Sequence, residues 1–142
     1  MTKIKLDPGL IARIDGSRFS LSEGGVVFLK GDTGDSAYVV AKGLVEIREG
    51  GRVIETIDVG ELFGELAMID SEPRSASAVA IGPTELIPIE RSVFERMLET
   101  EPGFALTVLR LMSRRLRAML VAPRLVPEEL PIAPQRPSPP PL

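Results

Sequence analysis

The sequence predicts a mainly β domain with flanking helices, arranged as an antiparallel jelly roll (a double-stranded β-helix), and three observations support this fold class. Between residues 19 and 90, short runs of β-branched and other apolar residues follow one another. Glycine-containing turns separate these runs, and Gly50-Gly51 is typical of a tight hairpin because glycine accepts a positive φ. After residue 90 the apolar residues recur at helical spacing instead. Short strands separated by such turns are typical of an antiparallel barrel or jelly roll.

A short helix is predicted before the strands. Asp7 followed by Pro8 is the pattern of an N-cap and a first helical residue. The apolar residues that follow share one helix face, and we expect this helix to end at Asp15-Gly16. The predicted strands include residues 26–29, 37–42, 44–48, 52–59, 76–81 and 85–89.

Two helices are predicted after the strands. Ser92 and Glu95 have the spacing of a capping box at the start of the first helix, which should end near Thr100. The second helix begins at Pro102 and carries an apolar stripe of Phe104, Val108, Leu111, Met112, Leu116 and Met119. We expect residues 1–121 to form one domain and the proline-rich residues 122–142 to be an extended, disordered tail.

The composition argues against several classes of function. The chain has 142 residues, 44% hydrophobic and 26% charged, as expected of one globular domain. A formal net charge of −3 argues against a general nucleic-acid surface. Without cysteine or histidine the chain lacks the groups for thiol catalysis, a Ser-His-Asp triad or the usual zinc sites, so we expect neither an enzyme nor a bound metal. No apolar run approaches the ~20 residues of a membrane span, and the N-terminus lacks a signal-peptide pattern, so we expect a cytoplasmic protein.

The most informative segment, residues 63–80, combines the features of an anion-binding site. Gly64 lacks a Cβ, so the backbone can approach a ligand closely there. Residues 66–68 favour a helical turn, whose first amides point at whatever lies before them. Arg74 supplies a planar guanidinium that can hold two phosphate oxygens at once. Glu65 offers an acceptor for sugar hydroxyls.

This segment resembles the phosphate-binding cassette of the cyclic nucleotide-binding domain family, which includes the catabolite activators, protein kinase A regulatory subunits and cyclic nucleotide-gated channels. The matching residues are Phe63, Gly64, Glu65, Leu66 and Ala67, then Pro73, Arg74, Ser75 and Ala76. The resemblance implies that Arg74 pairs with the cyclic phosphate and that Glu65 accepts the ribose 2′-hydroxyl. Gly64 and the backbone amides near Ser75 and Ala76 would complete the phosphate cradle. A surface hairpin with a structural Glu–Arg pair is the alternative interpretation.

The same resemblance indicates how the base would be held. Similarity to the catabolite activators places Ile47 and Ile54 at base-contacting positions, although plain core filling explains each of them equally well. Arg114 or Arg115 would lie over the base, since a guanidinium stacks well on a flat ring; solvated arginines are the alternative. In the family a hydroxyl at the position of Ser77 accompanies guanine recognition, but threonine is commoner there. The choice between cAMP and cGMP therefore stays open, and we favour cAMP because bacterial-looking members mostly use it.

These features together predict a stand-alone cyclic nucleotide sensor that acts through a separate effector protein. No helix-turn-helix follows the last predicted helix, so we do not expect direct DNA binding. In the catabolite activators the equivalent helix pairs with its twin, which would make a homodimer. The alternative function is a nucleotide-independent jelly-roll scaffold for assembly or protein–protein interaction. A cupin-type metalloenzyme is less consistent with the sequence, because cupins hold metal mainly through histidines and this chain has none.

Overall fold

The structure, a computed structural model, describes residues 3–14 and 16–121. The chain divides into two compact units, residues 1–111 and 112–142, and the last helix begins in the first unit. Of the second unit the described part is the remainder of that helix, residues 112–121. The predicted tail, residues 122–142, lies outside the described residues, and a domain boundary after residue 121 stays a prediction.

The described elements are short helices around long antiparallel strands. The helices are α1 (Pro8–Ala12), α2 (Leu66–Asp70), α3 (Arg91–Thr100) and α4 (Pro102–Val121). The strands are β1 (Phe19–Leu21), β2 (Val26–Phe28), β3 (Ser36–Glu49), β4 (Arg52–Ile57), β5 (Leu62–Phe63) and β6 (Ser77–Glu90). The sheet order is β1-β6-β3-β4, with β2 also on β6 and β5 on β3, and every pairing among these strands is antiparallel. The predicted fold class is confirmed.

Two strands, β3 and β6, are longer than the sequence pattern predicts. Both runs predicted between residues 37 and 48 belong to β3, and both runs predicted between 76 and 89 belong to β6. The two strands pair from Ser36 opposite Glu90 to Arg48 opposite Ser77. Their register shifts near the middle of the pair, so the strands bend there without separating. The prediction of four separate strands was therefore wrong.

Gly43 allows β3 to bend while it stays paired with β6. Its φ of +91° lies in the left-handed region, and a Cβ at this position would lie 2.5 Å from the carbonyl oxygen of Pro83. Across this close approach the Thr84 hydroxyl donates to the carbonyl oxygen of Leu44 at 3.1 Å. A side chain at position 43 would push the strands apart where they bend.

The helix ends agree with the sequence pattern at some places and depart from it at others. Asp7 is the N-cap of α1 as predicted, and its carboxylate accepts from two backbone amides, but the helix already ends at Ala12. The capping box predicted at Ser92 is wrong. Helix α3 begins one residue earlier, at Arg91, and its N-cap residue Glu90 makes no side-chain capping bond. The predicted end of α3 and start of α4 are confirmed.

The core of the first unit is formed by side chains of β3, β4, β5 and β6 and continues under α3. Its central cluster consists of Val40, Val45, Ile57, Phe63, Ala78 and Leu86. Phe94 of α3 and Phe104 of α4 are fully buried and pack edge to face, with their ring centroids 5.2 Å apart. Aromatic pairs of this geometry stabilise a core beyond the area that they bury, so this contact joins the start of α4 to α3.

The predicted apolar stripe of α4 is buried only in part. Val108 and Leu111 are 2% exposed, as expected of a face that packs on a core. Leu116 and Met119 are 57% and 73% exposed, so the stripe is covered only toward the start of the helix. In the described part of the chain, no helix combines the length and the apolar character that crossing a bilayer requires.

We expect Gly43→Ala to lower the free energy of unfolding by about 1–3 kcal/mol, because the added methyl group overlaps Pro83 and the backbone is strained. Gly103→Ala is the matched control, since the same methyl group there meets no atom within 4 Å. Urea unfolding followed by circular dichroism measures both variants. If the two variants were equally stable, Gly43 would not have the role assigned to it.

Candidate ligand-binding site

Arg74 lies in the loop between α2 and β6, and the backbone fixes the position of this loop. The Arg74 amide donates to the carbonyl oxygen of Asp32 at 2.8 Å, and the Gly31 amide donates to the Arg74 carbonyl oxygen at 2.8 Å. The Asp32 carboxylate in turn accepts from the amide of Leu29 at 2.9 Å. The loop after β2 thus fixes the backbone of Arg74 through the two backbone hydrogen bonds.

The guanidinium of Arg74 is buried and held from several sides. Nη1 donates to the carbonyl oxygen of Gly64 at 2.8 Å, and Nη2 donates to the carbonyl oxygen of Ser36 at 2.5 Å. The guanidinium carbon lies 4.0 Å from the centroid of the Phe28 ring, a cation–π contact. Only 6% of Arg74 is exposed. These contacts fix the planar group in one orientation before any ligand arrives.

The Nε atom of Arg74 is buried, and no hydrogen-bond partner for it is found among the described residues. A buried polar group without a hydrogen bond costs about 1–3 kcal/mol. Since the guanidinium has five N–H donors, Arg74 keeps the capacity to bind an anionic acceptor, which fits a phosphate.

Burial lowers the pKa of Arg74, because a charged group loses the stabilisation that water gives it. Nearby groups act in the opposite direction: Tyr38, Asp35, Asp32 and Glu65 raise this pKa. An arginine stays protonated in proteins despite such shifts. The site therefore presents a permanent positive charge whose field is screened less than it would be in open water. In the described part of the chain, no acidic cluster that could hold a metal ion is found.

Two glycines leave room for Arg74. At Gly34 an added Cβ would lie 2.8 Å from the guanidinium carbon of Arg74 and 2.7 Å from the Cβ of Ala67. At Gly64, where φ is +76°, an added Cβ would lie 2.9 Å from Nη1 of Arg74. Any other residue at either position would displace the guanidinium.

Glu65 sits at the start of α2, as the residue that precedes its first helical turn. It is fully buried, and its carboxylate contributes to the field that raises the pKa of Arg74. The Glu65 carboxylate and the Arg74 guanidinium thus share one electrostatic environment. The predicted role of Glu65 toward a sugar hydroxyl stays a prediction.

The other cassette residues lie at different depths. Phe63 is fully buried, and its ring stacks on that of Tyr38 with centroids 5.4 Å apart. Ala67 and Ala76 are buried, Leu66 is half-buried and Ser75 is exposed. The hydroxyl of Ser77 accepts from the amide of Lys30 at 3.0 Å. This bond ties the start of β6 to the loop after β2 and leaves the hydroxyl proton of Ser77 for another acceptor.

The residues predicted to contact a base are only partly brought together. Ile47 of β3 is half-buried and packs on the core cluster. Ile54 is 55% exposed and lies at the irregularity where β4 shifts register against β3. Arg114 and Arg115 belong to the second unit of the chain, so their predicted place over a base stays a prediction.

Three contributors to the site were missed by sequence reasoning: the ring of Phe28, the carbonyl of Ser36 and the side chain of Arg91. Residues 31–36 are rich in glycine and aspartate, which indicates a turn. An aromatic residue shortly before that turn is the one local signal for Phe28, whose ring is half-buried in the structure. Nothing local points to Arg91, whose guanidinium donates to carbonyl oxygens of α2.

Comparison with known proteins agrees with this geometry. Residues 18–101, more than half of the chain, match the family model described as cyclic nucleotide-binding domain. The Cyclic AMP receptor protein of Thermus thermophilus is 38% identical over 100 residues, which cover 67% of this chain and 46% of that protein. The cAMP-dependent protein kinase regulatory subunit of Eremothecium gossypii is 37% identical over 78 residues, or 55% of this chain and 17% of that protein.

A solved structure shares the fold. The Thermus thermophilus catabolite activator protein matches with a TM-score of 0.72 and 33% identity, covering 82% of this chain and 58% of that chain. The chain spans less than half the length of the two curated relatives named above. The matching domain is regulatory and typically non-enzymatic. On its strand order, its cassette and these similarities, the chain belongs to the cyclic nucleotide-binding domain family.

Proposed function

We propose that this chain binds cAMP through Arg74 and passes the signal to a separate effector protein. The observation that carries the proposal is the buried guanidinium of Arg74, which is fixed by carbonyl oxygens and a ring while its Nε has no acceptor among the described residues. A cyclic phosphate is a monoanion with two exocyclic oxygens, and a guanidinium matches this geometry.

The phosphate would bind at the edge of the guanidinium that carries Nε. There it would satisfy the buried donor and meet a positive charge in a region of low dielectric, where such a pair is stronger than at the surface. Gly64 lets the backbone come close to the ligand, and the first amides of α2 have no partner within their own helix. Further amides near Ser75 and Ala76 would close the cradle.

The ribose and the base would extend from the phosphate on either side. Glu65, as a buried carboxylate in the field of Arg74, would accept the 2′-hydroxyl. The exposed side chain of Ile54 and the half-buried Ile47 would offer the base an apolar wall. The names of the two curated relatives, a Cyclic AMP receptor protein and a cAMP-dependent protein kinase regulatory subunit, support the preference for cAMP over cGMP. A cytoplasmic location stays a prediction.

We expect Arg74→Ala to weaken cAMP binding by about 2–5 kcal/mol, because the charge that pairs with the phosphate is lost. Arg74→Lys keeps the charge without the planar fork, so its affinity for cAMP should lie between those of the wild type and Arg74→Ala. Arg96→Ala, which removes an exposed arginine of α3, is the control. Isothermal titration calorimetry with cAMP and cGMP measures all four proteins.

Thermal unfolding provides an independent check of the same proposal. At a hundredfold excess over the dissociation constant, the nucleotide should stabilise the wild-type fold by ~2.7 kcal/mol. A wild-type protein whose unfolding responds to neither nucleotide would overturn the proposed function. It would leave the nucleotide-independent scaffold as the better interpretation.

We also propose that the effector-competent form is a homodimer in which α4 pairs with its copy. Four leucines of this helix are exposed: Leu106, Leu109, Leu116 and Leu120 are 45%, 62%, 57% and 60% exposed. Their spacing of 3, 7 and 4 residues is that of a coiled-coil seam. An exposed apolar stripe with this period is best satisfied by a second copy of the same helix.

We expect Leu116→Glu to shift the protein from dimer to monomer, because a carboxylate in the seam would be buried without a partner. Ala118→Glu places the same charge on an exposed position of α4 outside the seam and should leave the dimer intact. Sedimentation equilibrium of both variants measures the change. A wild-type chain that sediments as a monomer at all concentrations would contradict the dimer.

A further inference from the structure

Arg91, the first residue of α3, donates hydrogen bonds to two segments that are far apart in the sequence. Its Nη2 donates to the carbonyl oxygens of Gly34 and Ala67, each at 3.2 Å. Its Nη1 donates to the carbonyl oxygen of Met68 at 3.2 Å and approaches the hydroxyl oxygen of Ser71 at 3.4 Å. One planar group therefore bridges the loop before β3 and the helix α2.

These two segments are the ones that enclose Arg74. On one side, Gly34 lies so close to the guanidinium of Arg74 that a Cβ would overlap it, and Ser36 accepts from Nη2. On the other side, the Cβ of Ala67 would lie 2.7 Å from the same Cβ added at Gly34. The spacing between the two segments sets the room available to Arg74, and Arg91 spans that spacing.

Helix α2 depends on contacts of this kind. It has five residues, from Leu66 to Asp70, and a helix of this length is not stable by itself. Its end is unfavourable as well, because the C-cap Ser71 adopts a left-handed φ of 59° without being glycine. A cation that donates to the last carbonyl oxygens of a helix stabilises that end. Arg91 makes those contacts.

Arg91 also lies at the start of the helical segment that follows the strands. Its backbone amide donates to the carbonyl oxygen of Asp35 at 3.2 Å, so the side chain and the backbone hold the same loop. One turn further along α3, Phe94 packs on Phe104 of α4. A displacement of α2 or of the loop therefore reaches α3 through the Arg91 hydrogen bonds.

We propose that Arg91 is a positioning residue, which holds the cassette in its ligand-ready spacing and couples its movement to α3. This inference rests on the proposed nucleotide binding and adds to it the route by which occupancy would be communicated. When a phosphate draws α2 toward Arg74, the carbonyl oxygens of Ala67 and Met68 move with the helix. Arg91 follows them, because releasing a charged donor from several acceptors is costly.

The test compares Arg91→Met with Arg91→Lys and with the matched control Arg96→Met on the exposed face of the same helix. Methionine keeps most of the length and all of the apolar stem but donates nothing. Lysine keeps the charge, yet its single ammonium group does not span both segments as a guanidinium does. Each protein is studied by hydrogen exchange with and without saturating cAMP, and by calorimetric titration.

In the wild type we expect cAMP to slow exchange both in α2 and in the amides of residues 92–100. In Arg91→Met the affinity for cAMP should fall about tenfold to hundredfold, and protection of residues 92–100 should disappear even when the site is saturated. Arg91→Lys should be intermediate, and Arg96→Met should match the wild type. Loss of the response in α3 at full occupancy separates a coupling role from a general loss of stability.

The ligand-free proteins separate this inference from the proposed function. Without nucleotide, Arg91→Met should exchange faster than Arg96→Met at residues 66–70 and 34–36. If the wild type binds no cyclic nucleotide, the proposed function fails, and this comparison still decides whether Arg91 holds the cassette. If affinity, α3 protection and ligand-free exchange are all unchanged in Arg91→Met, the inference is overturned. Should Arg91→Met not fold, Arg91→Lys takes its place: a loss of affinity, of α3 protection or of ligand-free protection supports the inference, and no change in any of them overturns it.

Discussion

The candidate site depends on one buried positive charge that is kept in a fixed orientation. Taking a guanidinium out of water is costly, and the structure offsets this cost with two carbonyl oxygens and the face of Phe28. The compensation is incomplete, because Nε of Arg74 is left without an acceptor among the described residues. An anion that supplied the missing acceptor would stabilise the fold as it bound. Binding and local stability are thus linked through the same atom.

The surrounding backbone is adapted to this charge. Gly34 and Gly64 approach it so closely that neither position tolerates a Cβ, and the two glycines come from different parts of the chain. Gly34 precedes β3, whereas Gly64 follows β5, so the long strand β3 and its pairing with β5 decide how far apart they lie. The sheet is therefore more than a support for the cassette. Its register determines the size of the space in which the guanidinium sits.

The same architecture links the cassette to the helices that follow the strands. Strand β6 begins just after Arg74 and ends just before Arg91. Because this strand pairs with β3 along nearly its whole length, its end returns to the loop before β3, next to its partner's beginning. A residue at the start of α3 can therefore contact α2, although β6 separates them in the sequence. Communication between site and helices is a consequence of how these two strands pair.

Much of the local structure could be predicted from residue types alone. The Asp7 cap, the Gly50-Gly51 hairpin and the short helix after Gly64 were predicted correctly, because each depends on a few adjacent residues. Predictions failed where a distant segment outweighs local preference. Gly43 was taken as a break between strands, but pairing with β6 carries the chain through it. Ser92 was taken as a cap, but α3 begins at the preceding residue.

The family and the chemistry of the cassette follow from the amino-acid sequence, since a glycine, a carboxylate and a guanidinium at fixed spacing are local features. The folded structure is needed to see that Arg74 is buried rather than solvated and which carbonyl oxygens hold it. It also reveals that Phe28 and Arg91 take part in the site. Those contacts join segments that lie far apart along the chain. They follow from the register of β3 against β6, and a register of that length is set by the packing of the whole core rather than by any short pattern of residues.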